Sequence, residues 1–337
     1  MFKKEKLILV FVILLILSLT SFAYSKEIEI QACVDETPYG LCSKTKPYFC
    51  EQGILVEKIS VCGCSNLSQN LGGSCYSIHQ SYPKKTTFKY ILNGIEKEID
   101  FIMYGEMADH LSRVSRVIEY TEDKKPSRAD FKFKIINHEE QRELLMPLVV
   151  KIQNLERDSV NQARIAISLV QSIPYGTTEK TILFPSGEIN YSQYPYEVLY
   201  YNQGICGEKT TLLAFLLKEL GYGVSIFYFP EENHEAVGIK CPIEKSFRKS
   251  GYCFIETSGP AILNDYSIEY TGGLRLESEP EVIVISDGIS LPEKMLEYKD
   301  AKDLRDIRNK NIFGFFKKYK FPALKEKYDL IEEYKVE

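Results

Sequence analysis

Cys206, His234 and Glu256 are the residues whose types and order could carry covalent chemistry. Cys206 follows Gly204 at the head of CGEKTTLLAFLLKEL, which reads as a helix over residues 206–220. Backbone N–H groups and the helix dipole at that end favour a thiolate. The same N–H groups can face the oxyanion that forms when sulfur attacks a carbonyl. A nucleophile also needs a base within hydrogen-bond reach and a third group to orient that base. His234 is the only histidine between residues 206 and 257, and Glu256 lies on the strand after it. In the chemistry this order implies, His234 takes the thiol proton, or the pair rests as thiolate and imidazolium. Cys206 then attacks an amide carbonyl, and the thioester passes to water or an amine. That route calls for no metal and no organic cofactor. Plainer readings stand beside it: a buried structural cysteine, a loop histidine next to Glu231, Glu232 and Glu235, and an exposed strand glutamate. The glycine-flanked helix start, with a histidine and an acid downstream, favours chemistry.

The elements that must position these groups follow from patterning. Leu212, Leu213, Phe215, Leu216, Leu217 and Leu220 cover nearly the whole circumference of the cysteine helix, so it is predicted to be central and buried. Gly221 and Gly223 release the chain into a strand, VSIFYF, at 224–229; a second strand follows His234, and a third spans 252–257. Upstream, Ala163, Ala166, Ile167 and Val170 give one buried helical face over 160–173, ended by Pro174. Helices are also expected at 139–154 and near 106–117, and a strand at FKFKII, 131–136. Asn93-Gly94 joins strand-like runs at 86–92 and 95–103 as a tight hairpin. From residue 286 the chain is charged and predicted helical, with an apolar knot at 312–316 that reads as packing against the core or as a partner surface.

The segments GICGEKTTLLAFLLKELGY, NHEAVGI and FIETSG, with ARIAISLVQSIPYG upstream, resemble the transglutaminase-like branch of papain-fold enzymes over residues 161–260. The resemblance implies an α+β, papain-like/transglutaminase-like core in which a catalytic helix packs on an antiparallel sheet. It gives Cys206 the part of nucleophile, His234 that of base and Glu256 that of third member. It further implies a thiol-dependent amide hydrolase or acyltransferase acting on peptide or protein substrates. Two features depart from the family: Glu256 stands where Asp is usual, and the tryptophan that helps animal members hold the oxyanion has no counterpart, because the chain contains no Trp. The Cys206 N–H, with Tyr196 or Tyr201, is expected to take that part, which favours hydrolysis over cross-linking. The alternative is a catalytically inactive scaffold or binding module of the cell envelope. Such a copy would be marked by a lost triad residue, and all three residue types are present.

Compartment and organisation come from the ends and the cysteines. Lys3, Lys4 and Lys6 precede an apolar run over 7–24, a secretory signal with cleavage after Ala23 or an uncleaved anchor. Both place the rest of the chain outside the membrane, secreted or at the cell surface, with membrane contact only through that segment if it stays. A chain of 337 residues with 44% hydrophobic and 26% charged residues holds two or three ordinary globular units, and its net charge of -5 argues against nucleic acid. The expected division is 1–25 signal or anchor, 26–80 Cys-rich module, 81–155 α/β extension, 156–285 catalytic core and 286–337 helical segment. Cys33, Cys42, Cys50, Cys62, Cys64 and Cys75 read as a disulfide framework, since the paired C-x-x-C spacing of structural zinc sites is missing. Zinc, with His79 nearby, is the rival. Cys241 and Cys253 are expected to pair as well, although a register that sets His234 opposite Glu256 would leave Cys241 roughly 13 Å from the facing position. A curled loop, a bulge or a diagonal meeting of histidine and acid would remove that conflict. His79, His110 and His138 read as solvated, without partners, and Asn66 and Asn190 sit in glycan-acceptor patterns.

Overall fold

The computed structural model describes residues 32–33, 35–121, 125–177, 181–184, 187–268, 275–309 and 314–330. The signal or anchor segment 1–25 lies outside them, as do residues 312–313 of the apolar knot and the side chain of Asn190. The fold is mixed α+β with small antiparallel sheets. Among the described residues no helix is long and apolar enough to cross a membrane.

The first unit carries hairpins β1 (Tyr48–Glu51) with β2 (Ile54–Glu57) and β3 (Ser68–Leu71) with β4 (Ser74–Ser77), separated by the one-turn helix α1 (Ile59–Cys62). All six of its cysteines pair, as Cys33–Cys50, Cys42–Cys62 and Cys64–Cys75. The zinc alternative for these sulfurs is therefore set aside. With Cys241–Cys253 the chain has four disulfides, a usage suited to an oxidising, extracytoplasmic setting. The hairpin β5 (Pro83–Leu92) and β6 (Ile95–Tyr104) follows, its turn made by Asn93 at φ 56° and Gly94 at φ 76°. Its Phe88, Tyr90, Ile99 and Phe101 face the main core. Next come α2 (Gly105–Arg113), α3 (Arg128–Ile136), α4 (Glu139–Leu155) and α5 (Ser159–Ser172). The disulfide unit is docked rather than free-standing: Leu55, Cys33, Tyr48 and Cys50 pack on Val150 of α4, and Asn154 bonds both backbone groups of Leu55.

One predicted element is corrected. Residues 131–136 are not a strand but lie in α3, because Ser127 and Asp130 form a capping box at its start. The Phe-Lys alternation mimics a two-residue period. On the helix, however, Ala129, Phe133 and Ile136 share the face turned to the core.

A short hairpin, β7 (Thr181–Phe184) and β8 (Gly187–Asn190), precedes α6 (Pro195–Tyr201) and α7 (Cys206–Glu219). From Glu208 to Leu217 every residue of α7 is buried, as an all-round apolar helix requires. It packs on a four-stranded antiparallel sheet ordered β11–β10–β9–β12, with β9 Val224–Phe229, β10 His234–Lys240, β11 Tyr252–Ile255 and β12 Glu281–Ser286. Val224, Ile226, Val237, Ile239, Cys253 and Ile255 belong to the core on the helical side, whereas Phe227, Phe229, Ala236 and Phe254 meet Phe247 on the other. Helices α8 (Leu296–Arg308) and α9 (Gly314–Tyr328) close a satellite core over Ile262, and Arg308 pairs with the buried Asp265. The C-terminal segment thus packs on the sheet unit.

The register resolves the disulfide conflict. Val237 faces Ile255 and Ile239 faces Cys253, so Cys241 lies two residues beyond its partner's cross-strand neighbour. The link is made diagonally, with alpha carbons 5.8 Å apart. Replacing both cysteines by serine in Cys241→Ser/Cys253→Ser is expected to lower unfolding stability by about 3 kcal/mol, the amount for so short a loop. Urea titration measures it, and an unchanged midpoint would show that the β10–β11 connection holds without the link.

Candidate active site

Cys206 opens α7, and its thiol, partly exposed, is the only cysteine outside a disulfide. As the first helical residue its N–H has no acceptor within the helix. Glu208 fixes this end by reaching back to the Ile205 N–H at 3.0 Å and by accepting the Gln193 N–H at 2.7 Å. Burial pushes the Glu208 carboxyl up, against those hydrogen bonds. A Cβ on Gly207 would lie 3.1 Å from Glu235 Oε2, a tight approach to that carboxylate.

His234 opens β10, 6% exposed, with Nε2 3.0 Å from Glu256 Oε2. The Cys206 thiol acts on the same ring through a hydrogen bond. Burial alone would lower the imidazole, but the hydrogen bonds and charges of Cys206 and Glu256 overcome it and hold the ring up to about 10. Glu256 is buried just past the end of β11, and its Oε1 accepts Thr257 N–H at 2.9 Å, Ser258 N–H at 2.7 Å and Ser258 O–H at 2.7 Å.

The histidine and the acid do not face one another. Continuing the β10–β11 register sets Glu256 opposite Ala236, so His234 is reached on the diagonal. Diagonal neighbours are farther apart than direct ones. The methylene that distinguishes Glu256 from aspartate helps to span this gap.

Several residues of the site were missed in the sequence. Lys209 is fully buried, three positions after Cys206, and donates to Ile173 O at 2.5 Å, Ser258 O at 3.2 Å and Gln171 O at 3.3 Å. It thereby ties the cysteine helix to the end of α5 and to the loop behind Glu256. Burial drives its ammonium down to about 8, with the Glu256 charge opposing. Its place in the polar first turn, among Glu208, Thr210 and Thr211, gave no signal that it would be buried. Thr257 Oγ1 meets Thr210 Oγ1 at 3.1 Å and donates to the Cys206 carbonyl at 3.4 Å. Glu235 is held by Arg128 and Lys132, both from α3, the element read as a strand.

Of the two tyrosines expected to aid an oxyanion, one is drawn away. Tyr196 is fully buried and its hydroxyl accepts the Tyr104 N–H at 2.6 Å, so it is withdrawn from that part. Tyr201 sits at the end of α6, edge-on to Tyr200 at 5.2 Å. Tyr175 is the phenol beside the site: it bridges to Gly204, and burial, then the charges of Cys206, Glu208 and Glu256, push its hydroxyl up. His79, His110 and His138, read as solvated, instead surround Glu140.

No family model, curated protein or solved structure matches the chain.

A raised imidazole has a signed consequence for stability. Its contribution is complete below the ordinary value of 6.5 and is lost as pH climbs through about 10. The stability advantage of the native chain over His234→Gln, measured by urea unfolding, is expected to shrink across that window. An advantage constant through it would contradict the assignment of charge to this ring.

Proposed function

We propose that the chain is an extracytoplasmic thiol enzyme of the transglutaminase-like, papain-fold kind that cleaves or transfers amide acyl groups of peptides or proteins. One observation carries the reading: the only free thiol shares its imidazole with a buried, doubly anchored carboxylate. An inert scaffold has no need of three converging groups whose charges support each other. The helix-on-antiparallel-sheet arrangement agrees with such a core, and the four disulfides agree with secretion or surface display.

In the proposed reaction the Cys206 proton already rests on His234 as a thiolate–imidazolium pair, and the sulfur attacks the amide carbonyl. The oxyanion faces the Cys206 N–H, with the Tyr175 hydroxyl as the second donor. On collapse the C–N bond breaks, the imidazolium returns its proton to the leaving amine or ammonia, and a thioester remains on Cys206. Water, deprotonated by His234, then attacks the thioester carbonyl, the acid is released and the thiol is regained. Glu256 orients the ring and offsets its charge without taking the proton. An amine can replace water, but without an indole at the oxyanion hydrolysis is the favoured branch.

Alkylation by a thiol-directed probe should fall on Cys206 and slow by about 100-fold or more in His234→Ala, the scale of general-base assistance. Glu256→Asp, shorter by about 1.5 Å, should lose most of the native rate, with Glu256→Gln slower than native as well. Labelling indifferent to His234→Ala would favour the scaffold. Ammonia released from a glutamine peptide without backbone cleavage, with an added amine incorporated, would favour cross-linking over hydrolysis.

A further inference from the structure

Three of the chain's four histidines meet at one carboxylate. His79 lies between β4 and β5, just past the Cys64–Cys75 hairpin; His110 is on α2; His138 and Glu140 stand at the start of α4. His110 Nε2 is 2.6 Å from Glu140 Oε2, His79 Nε2 is 3.6 Å from Oε1, and His138 Nε2 is 3.9 Å from Oε2. The rings of His79 and His110 are 4.1 Å apart between centroids.

Two buried ring nitrogens in this cluster lack a hydrogen-bond partner, His79 Nε2 and His138 Nδ1, and the first faces the carboxylate. His79 is buried, 7% exposed, and its Nε2 has no hydrogen-bond partner, since 3.6 Å is too long for one. A buried polar nitrogen without a partner is costly. Protonating both stacked rings would set two cations together over one carboxylate. A single divalent ion accepts lone pairs from both nitrogens and from the carboxylate at once.

The donor set also selects the ion. The ligand atoms of His79, His110 and Glu140 already lie within 4.8 Å of one another. Bonds of 2.0–2.2 Å in a tetrahedral site need them roughly 3.4 Å apart, a gap that small side-chain rotations close. Two imidazoles and one carboxylate suit zinc and its transition-metal neighbours; calcium and magnesium demand oxygen. The Glu140 side chain is 36% exposed, which gives an ion a way in from solvent.

We propose that His79, His110 and Glu140 form a structural binding site for a Zn2+-class transition-metal ion, which fastens the exit of the disulfide unit to α2 and α4. His138 is the nearest further donor. Both rings bind through Nε2 as neutral imidazoles protonated at Nδ1. As the ion enters, it takes the place of the proton between His110 Nε2 and Glu140, and the ring keeps its proton at Nδ1. The site is independent of the Cys206 chemistry.

The test uses the full exported chain without a histidine tag, carrying Cys206→Ala so that no free thiol competes. Calorimetric titration with ZnCl2 should give one ion per chain, and Co2+ should give the visible absorption of a low-coordinate nitrogen/oxygen site. Affinity should fall on the order of 100-fold in His79→Ala and in His110→Gln, and Zn2+ should raise the melting temperature of the parent only. Absence of saturable binding of Zn2+, Co2+, Ni2+ and Cu2+ by the parent, which needs no histidine variant to fold, overturns the proposal. So does binding that survives both histidine substitutions.

Discussion

The site depends on one imidazole held between a sulfur and a carboxylate where water is largely excluded. His234 is 6% exposed, so a charge on it must be supported by neighbours rather than by solvent. Cys206 and Glu256 supply that support. Burial works against the charged ring, so losing either partner weakens that support. The rest of the surrounding structure can be understood as what keeps three groups on three elements in line.

Each of those elements is fixed by a different means. The cysteine helix is set by its apolar run Leu212–Leu217 and by Lys209, whose ammonium gathers carbonyls from the α5 end and from the loop after Glu256. The acid is set by three donors on Oε1 from the two residues that follow it. The strand carrying the histidine is joined to that carrying the acid by a register that the Cys241–Cys253 link secures at its far end. Because that register sets ring and carboxylate on a diagonal, the length of glutamate becomes part of the design. The same diagonal offset appears in the disulfide, two residues along β10 in the opposite direction. One register thus accounts for both features.

Much of this was legible in the sequence where a strong local pattern and tertiary packing agree. The apolar circumference of α7, the glycines after it, the 224–229 strand and the Asn93-Gly94 turn lie where periodicity and turn chemistry placed them. Cysteine pairing followed from number and compartment, though not its connectivity, which depends on which hairpins stack. The strand read at 131–136 failed because alternation over six residues cannot outweigh the capping box of Ser127 and Asp130 just before it. With that helix misread, the approach of Arg128 and Lys132 to Glu235 was invisible. Tyr196 failed because nearness in sequence to Cys206 says nothing about the direction of a helix residue, and its hydroxyl turns to Tyr104. The histidine cluster on Glu140 could not be read at all, since its members come from three segments brought together only by the fold.

The most direct measurement is the protonation of the His234 ring itself, followed by nitrogen-detected NMR of histidine-labelled protein across pH. With Cys206 and Glu256 in place, both ring nitrogens are expected to stay protonated well above 6.5, up to about 10, and to lose that persistence in Cys206→Ser. A ring that becomes neutral near 6.5 in the native chain would contradict the central claim, because the sulfur and the carboxylate would then not be sharing it.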